Sequence, residues 1–389
     1  MAEVARSLEV VIVGSGIAAA SVAYWLAPHA RVTLLERESQ PGYHSTGRSA
    51  ALFFESYGTP QVRALTLASR AFLDAPPAGF TEHPILSPRG ALLVAGAGQQ
   101  ALLDEQWAVL GSVSPRGRRL DAAEALAMVP VLRPEQLIGA VLEPDAADMD
   151  VHALHQGYLR GVRQHGGRVV CDAEVTALHR RGDGRWQVAA GGQEHLADIV
   201  VNAAGAWCDV VAQLAGAQPI GLVPKRRSAF VFAPPEGVAV RGWPAVGGVD
   251  HSWYIKPDAG LLLGSPANED PVAPHDVQPE ELDIAIAVDR IESLTTLRVQ
   301  RVVRRWAGLR SFVADGDLVG GFDPELPGFF WVAAQGGYGI QTSAAMGEAC
   351  AGLVRGLPLP PRIAGFGLTA AMLSPARLRP AGRTDTARP

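Results

Sequence analysis

Two glycines, an alanine and a glutamate near the start of the chain have the types and spacing of a phosphate-binding turn. Gly14, Gly16 and Ala19 stand in the pattern Gly-x-Gly-x-x-Ala, and Glu36 follows 22 residues after Gly14. The first glycine permits a tight turn, the second lets backbone approach a pyrophosphate, and the small alanine allows close helix–strand packing. An acidic side chain at this distance accepts hydrogen bonds from ribose hydroxyls. The chemistry indicated is the binding of a dinucleotide.

The elements that must position these residues are visible around them. Residues 10–13 are β-branched, as in a strand buried on both faces. Residues 20–26 continue as an apolar, alanine-rich helix, and residues 32–35 form a second apolar run that ends at Glu36. Strand, turn, helix, strand and acid in this order predict a βαβ unit whose helix N-terminus faces the phosphates.

Composition excludes several classes of function. The chain has 389 residues and a net charge of −5, so it lacks the basic surface expected of a nucleic-acid-binding protein. No apolar run approaches the ~20 residues that span a bilayer, and the N-terminal residues carry no signal-peptide pattern. Cys171, Cys208 and Cys350 are too widely spaced for a disulfide framework or a zinc site. We expect a cytoplasmic protein without metal, nucleic-acid partner or transmembrane segment.

The later elements indicate a second domain that interrupts the first. Helical periodicity or composition predicts helices at residues 61–73, 101–110, 121–124 and onward, 151–165, 280–294 and 341–355. Apolar runs predict strands at residues 92–94, 168–171, 175–179, 186–189, 198–202, 226–233, 253–263 and 329–333.

Six further segments carry specific motifs. They are GYHSTGRSAA at 42–51, YGTP at 57–60, AAG at 203–205, KRRSAF at 225–230, WAGLR at 306–310 and AAQGGYGIQ at 333–341. Together with the opening unit, these segments resemble the D-amino-acid oxidase and dehydrogenase family of flavoproteins. Within that family the chain looks most like the FAD-dependent D-arginine dehydrogenases. The resemblance covers nearly all of residues 10–373.

The resemblance implies an α/β fold, with a Rossmann-like FAD-binding domain and a discontinuous α+β substrate domain built on an antiparallel-rich sheet. The expected FAD-binding domain comprises residues 1–80, 151–220 and 300–374. The expected substrate domain comprises residues 81–150 and 221–299. A tail without regular order is expected at residues 375–389, which are rich in arginine and proline.

The resemblance also implies FAD bound without a covalent link. The turn would bind the pyrophosphate, and the acidic residue at the end of the second strand would bind the adenosine ribose. The later loops would bind the flavin. A helix N-terminus near the flavin would stabilise negative charge on its reduced form. The residues implied are Gly14, Gly16, Ile17, Ala18, Glu36, Arg37, Ser45, Thr46, Arg48, Ser49, Ala50, Ala51, Val175 (by its backbone), Ala204, Gly205, Gly336, Gly337, Tyr338, Gly339, Ile340 and Gln341.

An amino acid oxidised by a flavin loses its α-hydrogen as a hydride, so the protein must hold the carboxylate and orient the α-carbon. The planar fork of arginine suits a carboxylate best. The resemblance implies that Arg226 and Arg310 bind the substrate carboxylate, assisted by Tyr57 and Tyr254. The carbonyl oxygen of Gly337 would accept a hydrogen bond from the substrate amine.

The chain departs from the D-arginine enzymes around the substrate side chain. Ala91 replaces the acidic residue that pairs with a guanidinium, and Leu52 replaces a histidine near the amine. Phe54 follows, and Ala245 and Gly247 replace bulkier residues. A buried cation would have no partner here and would cost several kcal/mol of desolvation. We therefore expect a wider, less polar pocket for large neutral or aromatic D-amino acids.

The leading interpretation is FAD-dependent oxidative deamination of such D-amino acids, giving an imine and then a 2-oxo acid. The alternative is a flavin amine oxidase of the same superfamily that acts on a secondary amine or a specialised metabolite. A third interpretation, a flavin-binding scaffold with little catalysis, does not explain the carboxylate-binding side chains. Quinone, another carrier or O₂ all remain open as the electron acceptor.

Overall fold

The computed structural model describes residues 7–379. The strands are β1 Glu9–Val13, β2 Arg31–Leu35, β3 Leu52–Phe53, β4 Leu86–Pro88, β5 Ala91–Gly96, β6 Arg118–Leu120, β7 Leu137–Glu143, β8 Ala147–Met149, β9 Arg168–Val170, β10 Val175–Arg180, β11 Trp186–Ala190, β12 Gln193–Ala197, β13 Ile199–Asn202, β14 Val223–Phe232, β15 Ala245–Gly248, β16 Tyr254–Asp258, β17 Leu261–Ser265, β18 Asp270–Pro271, β19 Val302–Phe312, β20 Val319–Phe322 and β21 Phe329–Ala333. The α-helices are α1 Ile17–Leu26, α2 Pro60–Asp74, α3 Gln100–Val113, α4 Ala122–Met128, α5 Val151–Gln164, α6 Cys208–Ala215, α7 Glu281–Leu294, α8 Ser343–Val354, α9 Pro361–Ala364 and α10 Ala370–Leu373.

The chain divides into two compact units. The first comprises the residues up to Tyr43, then His155–Val223 and the residues from Ser311 onward, and the second comprises His44–Leu154 and Pro224–Arg310. Residues 44–80, expected in the cofactor domain, therefore lie in the second unit. The reason is that β3 pairs with β8, in the register Leu52↔Asp148 and Phe53↔Ala147.

The first unit is built on a six-stranded sheet in the order β20-β21-β13-β1-β2-β9. β1 runs parallel to both β2 and β13, and β13 runs parallel to β21. Residues 10–13 are all buried, as a central parallel strand requires. α1 and α8 pack so closely that a β-carbon at Gly347 of α8 would lie 2.8 Å from the backbone of Ser21 of α1. The predicted βαβ unit is confirmed.

The second unit is built on a nine-stranded sheet in the order β18-β14-β17-β16-β15-β5-β7-β6, with β19 also paired to β14. Along that order from β18 to β6 the pairings are antiparallel, apart from that of β15 with β5. One face packs against α7 through a core that includes Leu92, Val246, Ile255 and Phe230. Since side chains alternate along a strand, the neighbouring residues point to the opposite face. We call this opposite face the site face.

Most predicted elements are confirmed within a few residues, but residues 253–263 do not form one strand. They form the hairpin of β16 and β17, closed by a turn at Ala259 and Gly260 with φ of 47° and 84°. Pro257, Asp258 and Gly260 have the composition of a turn and divide the two apolar runs, a signal that the prediction of one long strand overlooked.

The prediction of a tail without order is wrong for residues 375–379. Pro375–Leu378 forms a 3-10 helix, and the Arg377 guanidinium pairs with Asp315 at 2.8 Å. Residues 380–389 of that prediction lie outside the described residues. Across residues 7–379, no helix has the length and apolar character needed to cross a membrane.

Candidate active site

The Gly14 turn has a geometry that only glycine can adopt without strain. Its φ is +99°, and a β-carbon there would lie 2.7 Å from the carbonyl oxygen of Ala203. The Gly14 N–H donates to the carbonyl oxygen of Leu35 at 2.8 Å, which fixes the turn to the end of β2. Two chain segments therefore approach as closely as backbone allows at the end of β1.

The α1 N-terminus follows this turn. Its N-cap residue is Gly16, which has no side chain that could cap the helix. Backbone N–H groups at the positive end of a helix dipole form an anion-binding site. Among the described residues, the site therefore has the donors that a pyrophosphate needs.

Glu36 faces the same turn from the end of β2. It is 7% exposed, and its Oε2 accepts hydrogen bonds from the Ser15 amide at 3.0 Å and the Ser15 hydroxyl at 2.6 Å. Its Oε1 accepts from the amide of Glu38 at 3.0 Å. The carboxylate is thus already placed to accept from hydroxyl donors beside the turn, as ribose binding requires.

His155 on α5 is a part of this site that sequence reasoning missed. Its ring is buried, and Nε2 donates to the carbonyl oxygen of Ser15 at 2.7 Å. The available signal was its position in the apolar stripe of α5, where Tyr158, Leu159 and Val162 follow at the helical spacings of three, four and seven residues. A polar residue within such a stripe is buried and must find a partner.

The other cofactor residues expected in the first unit also follow the carboxyl ends of parallel strands. Ala204 and Gly205 follow β13, and Gly336 and Gly337 follow β21. Gly205 and Gly336 have φ of 58° and 52°. The turn at 338–341 precedes α8, which begins at Ser343 rather than at 341 as predicted. Parallel strands end at one sheet edge, so these turns share that edge with Gly14 and Glu36.

Two further cofactor residues were expected in the first unit, Arg37 and Val175. Arg37 is exposed, and its guanidinium lies 5.1 Å from the ring centroid of Trp207. Val175 opens β10, and its side chain is buried in the core of the first unit.

The loop at 45–51 belongs to the second unit and is tied to β19. The Ser45 hydroxyl donates to the carbonyl oxygen of Leu309 at 2.6 Å. Arg48 donates to the carbonyl oxygens of Val277 and Ala307 at 3.0 and 3.2 Å and pairs with Asp276. The members of this loop expected at the flavin are Ser45, Thr46, Arg48, Ser49, Ala50 and Ala51.

Strand alternation separates the two arginines of β14. Arg226 points toward α7, where Nε donates to Asp283 Oδ2 at 2.8 Å and Nη1 pairs with Glu280. Asp270 adds a third carboxylate at 3.5 Å. The expected carboxylate ligand Arg226 is thus occupied by the protein's own acids.

Arg227 instead points to the site face and is 7% exposed. Its Nε donates to the carbonyl oxygen of Asn268 at 2.7 Å, and Nη2 pairs with Glu269 at 3.0 Å. Burial, and then the positive charge of Arg310, lower the pKa of Arg227. Tyr57 and Tyr254 also lie within electrostatic range of its guanidinium.

Arg310, near the end of β19, is the second cation of this cluster. It is half-buried, and among residues 7–379 no acceptor receives a hydrogen bond from its guanidinium. Two guanidinium groups repel each other unless an anion lies between them. With two phenols beside them, they make a site suited to a carboxylate.

The signal for Arg227 was the period of two along β14. Ala229 and Val231 share its face, whereas Ser228 and Phe230 share that of Arg226 and lie toward α7. The structure thus brings Tyr57, Tyr254 and Arg310 together with Arg227, the neighbour of the residue that the motif indicated.

The expected pocket-wall residues form one apolar cluster with Tyr57. Leu52 and Phe54 pack with Ala91, and the rings of Phe54 and Tyr57 stack with centroids 5.8 Å apart. Ala245 pairs with Ala91 across β15 and β5. The backbone leaves little room for a side chain at Gly247, because a β-carbon there would lie 3.0 Å from the carbonyl oxygen of Trp253.

Lys256 is a buried cation that sequence reasoning missed. It lies two residues after Tyr254 on β16 and therefore on the same face. Its Nζ donates to Asp148 Oδ1 at 2.8 Å, and Arg89 Nε donates to Asp148 Oδ2 at 2.7 Å. The Asp148 carboxylate therefore pairs with both Lys256 and Arg89.

The described residues contain no group of three or more His, Cys, Asp or Glu side chains that could hold a metal ion.

Comparison with known proteins identifies relatives over most of the chain. The family profile DAO, described as FAD dependent oxidoreductase, matches residues 9–353. FAD-dependent oxidoreductase domain-containing protein 1 of Bos taurus is 26% identical, over 89% of this chain and 81% of that protein. Glycine oxidase from Geobacillus kaustophilus is 23% identical with a TM-score of 0.79, over 90% of this chain and 95% of that chain, and so shares the fold. Iminodiacetate oxidase from Chelativorans sp. BNC1 is 25% identical with a TM-score of 0.75, over 90% and 97%.

The geometry of the Gly14 turn predicts the effect of substituting this glycine. Gly14→Ala places a β-carbon against the Ala203 carbonyl and forces an unfavourable φ, so the turn must open. We expect the purified protein to lose most of its FAD, measured as the ratio of flavin absorbance near 450 nm to protein absorbance.

Gly98→Ala is the matched control, because Gly98 also has a positive φ, of +81°, with no atom within 4 Å of the added carbon. It should keep its FAD. Retention of FAD by Gly14→Ala at the control level would contradict the assignment of the turn. In wild type, acid precipitation should leave the flavin in the supernatant, as expected for a cofactor without a covalent link.

Proposed function

This chain belongs to the DAO family of FAD-dependent oxidoreductases, and we propose that it oxidises amines that carry a carboxylate, with large neutral D-amino acids preferred. The observation that carries the proposal is the pair Arg227 and Arg310 beside Tyr57 and Tyr254. A protein that served only as a flavin-binding scaffold would not need two arginines placed so that they can bind an anion.

The turn at Gly14 and the N-terminus of α1 fit the FAD pyrophosphate, and Glu36 fits the ribose. The chemistry that FAD supplies when bound is the acceptance of a hydride. The substrate amine becomes an imine, which water hydrolyses to a 2-oxo acid.

Arg227 and Arg310 would bind the substrate carboxylate and so fix the position of the α-carbon. Nη1 of Arg227 has no acceptor among the described residues, since its other nitrogens bind Asn268 and Glu269. The phenols of Tyr57 and Tyr254 would add neutral donors. In this proposal Arg227 takes the role that the sequence motif indicated for Arg226, and the carbonyl of Gly337 keeps its expected role toward the amine.

The charges near the site face disfavour a basic substrate side chain. Both oxygens of Asp148 are occupied by Lys256 and Arg89. Glu55 pairs with Arg70 at 3.3 Å, and Glu269 pairs with Arg227 and Lys225. Both oxygens of Glu143 accept hydrogen bonds from the amides of Glu55 and Ser56. A guanidinium would therefore find no carboxylate without partners and would meet the cation of Lys256. The proposed substrates therefore differ from those of the D-arginine dehydrogenases, which the sequence motifs resemble.

A second candidate is a secondary amine with two carboxylates. Two observations favour it: the relative named iminodiacetate oxidase, and the buried cation of Lys256 on the same face as Tyr254. In this case Lys256 would attract the second carboxylate.

The first prediction here concerns the carboxylate site. Arg227→Met or Arg310→Met removes a charge-assisted contact worth roughly 2–4 kcal/mol. At about 1.4 kcal/mol per tenfold, kcat/KM for an amino acid should fall by about thirtyfold to several hundredfold. FAD content should not change.

Arg226→Met is the matched control. It leaves Asp283 buried without its cation, so it should lower the free energy of unfolding by about 3 kcal/mol with little effect on the kcat/KM of the folded enzyme. A large loss of kcat/KM in the folded Arg226 variant, with none in the Arg227 variant, would reverse the assignment.

The second prediction concerns specificity. A panel assayed with oxygen and with an artificial acceptor should give higher kcat/KM for D-Phe, D-Trp, D-Leu or D-Met than for D-Arg and D-Lys. Apolar side chains gain about 25 cal/mol per Å² on leaving water, whereas a cation here is unpaired. Preference for D-Arg over D-Phe would overturn this prediction.

Lys256→Met separates the two candidates. If iminodiacetate is the better substrate, the variant should lose about tenfold or more in kcat/KM for it, as expected for one charged contact of at least 1.4 kcal/mol. If neutral D-amino acids are the substrates, their kcat/KM should stay close to wild type.

A further inference from the structure

Glu143 is a buried carboxyl group next to the site face that none of the proposed chemistry uses. It is the last residue of β7 and is 1% exposed. It pairs across the strands with Ala91, which in turn pairs with Ala245. The three residues form one row across β7, β5 and β15, beside the expected pocket wall.

The Glu143 carboxylate holds the turn that carries Tyr57. Its two oxygens accept hydrogen bonds from consecutive amides, Glu55 at 2.6 Å and Ser56 at 3.2 Å. The Tyr57 N–H closes the same turn on the carbonyl oxygen of Phe54 at 3.4 Å. The position of the Tyr57 backbone therefore depends on two bonds to one carboxylate.

Other groups around this turn carry charge but do not neutralise Glu143. Among the described residues Glu143 has no ion pair. Glu55, on the turn itself, pairs with Arg70 of α2, and Arg70 also binds Asp74 at 2.8 Å. Arg116, which follows α3, pairs with Asp145 after β7.

Gln106 of α3 contributes a neutral contact, donating to the Ser56 hydroxyl at 3.2 Å. The negative charge of Glu143 is thus stabilised by amide and hydroxyl dipoles alone.

This environment makes Glu143 titrate near neutral pH. Burial raises its pKa to about 7, against the lowering effect of the hydrogen bonds from Ser56 and Glu55, and the charge of Glu55 raises it further. Below that pH the group carries a proton. A protonated carboxyl keeps some acceptor capacity but carries an O–H donor on one oxygen, so the amide bond to that oxygen is weakened.

We propose that Glu143 is a positioning residue for Tyr57, holding the 54–57 turn in its carboxylate-binding position when ionised and releasing it when protonated. This inference rests on the proposed function, because it assigns Tyr57 to the substrate carboxylate. It adds a control of substrate binding by pH through a residue that touches neither substrate nor cofactor.

The test uses benzoate, a carboxylate without an amine, titrated into the FAD-loaded enzyme from pH 5.5 to 9 and followed by flavin absorbance. Benzoate stays ionised over this range, so substrate protonation does not contribute. In wild type we expect the Kd to rise about tenfold as the pH falls through 7, an effect the size of roughly one hydrogen bond.

Three variants separate the causes. Glu143→Gln cannot ionise, so its benzoate Kd should be high and independent of pH. Glu55→Gln removes the like charge beside Glu143, so the midpoint of the wild-type curve should move to lower pH. Glu124→Gln is the matched control, since Glu124 also accepts a backbone amide bond, from Asp121, but on an exposed helix cap; its curve should match wild type.

The pH dependence of the free energy of unfolding tests the titration of Glu143 independently of ligand binding. Because the folded-state pKa of Glu143 lies above its unfolded value of about 4.5, the folded state keeps a proton that the unfolded state has lost. This group therefore lowers the free energy of unfolding as the pH rises from about 4.5 to about 7. Glu143→Gln should remove that decline, whereas Glu124→Gln should keep it.

A benzoate Kd that does not vary with pH in wild type would overturn this inference and leave the proposed function standing. Absence of benzoate binding at every pH would overturn both. If Glu143→Gln does not fold, Glu55→Gln decides, because an unmoved midpoint in that variant contradicts the role of Glu143.

Discussion

The repulsion between two guanidinium groups of the second unit is the constraint on which our functional account depends. Arg227 and Arg310 lie within electrostatic reach of each other, one buried and one half-buried. Glu269 is the one acid paired with Arg227 among the described residues, and it is shared with Lys225. A net positive charge held out of water is costly unless an anion is bound there. A carboxylate is the anion whose shape matches the arginine fork.

This arrangement follows from the two faces of one sheet. The face toward α7 is apolar apart from the Arg226 cluster, where Asp283, Glu280 and Asp270 satisfy a single guanidinium. The site face carries Arg227 and Tyr254, together with Lys256. One residue of shift along β14 therefore separates a structural ion cluster from the proposed binding site.

The sequence predicted the cofactor turn well because its signal is local. The residues from Gly14 to Glu36 lie within one βαβ unit, and the positive φ of Gly14 belongs to the turn itself, although a β-carbon there would also meet the distant carbonyl of Ala203. For the carboxylate, our proposal uses the segment that the motif indicated but a different arginine in it. Arg226 and Arg227 are adjacent in the motif, and the packing of α7 on one face decides between them.

Other parts of the site could not be predicted from local patterns. His155 and Glu143 act on backbone groups 140 and 88 residues away, so their partners appear only in the fold. Lys256 gives no sign in the sequence of its pairing with Asp148. The hairpin was missed although Pro257, Asp258 and Gly260 have the composition of a turn.

The central claim is that the enzyme oxidises amines through recognition of their carboxylate. Anaerobic mixing of the FAD-loaded protein with D-phenylalanine, and separately with 2-phenylethylamine, tests it most directly, since the two amines differ by the carboxylate alone. The account predicts bleaching of the flavin absorbance by D-phenylalanine and none on the same timescale by 2-phenylethylamine. Equal bleaching by both amines would contradict it.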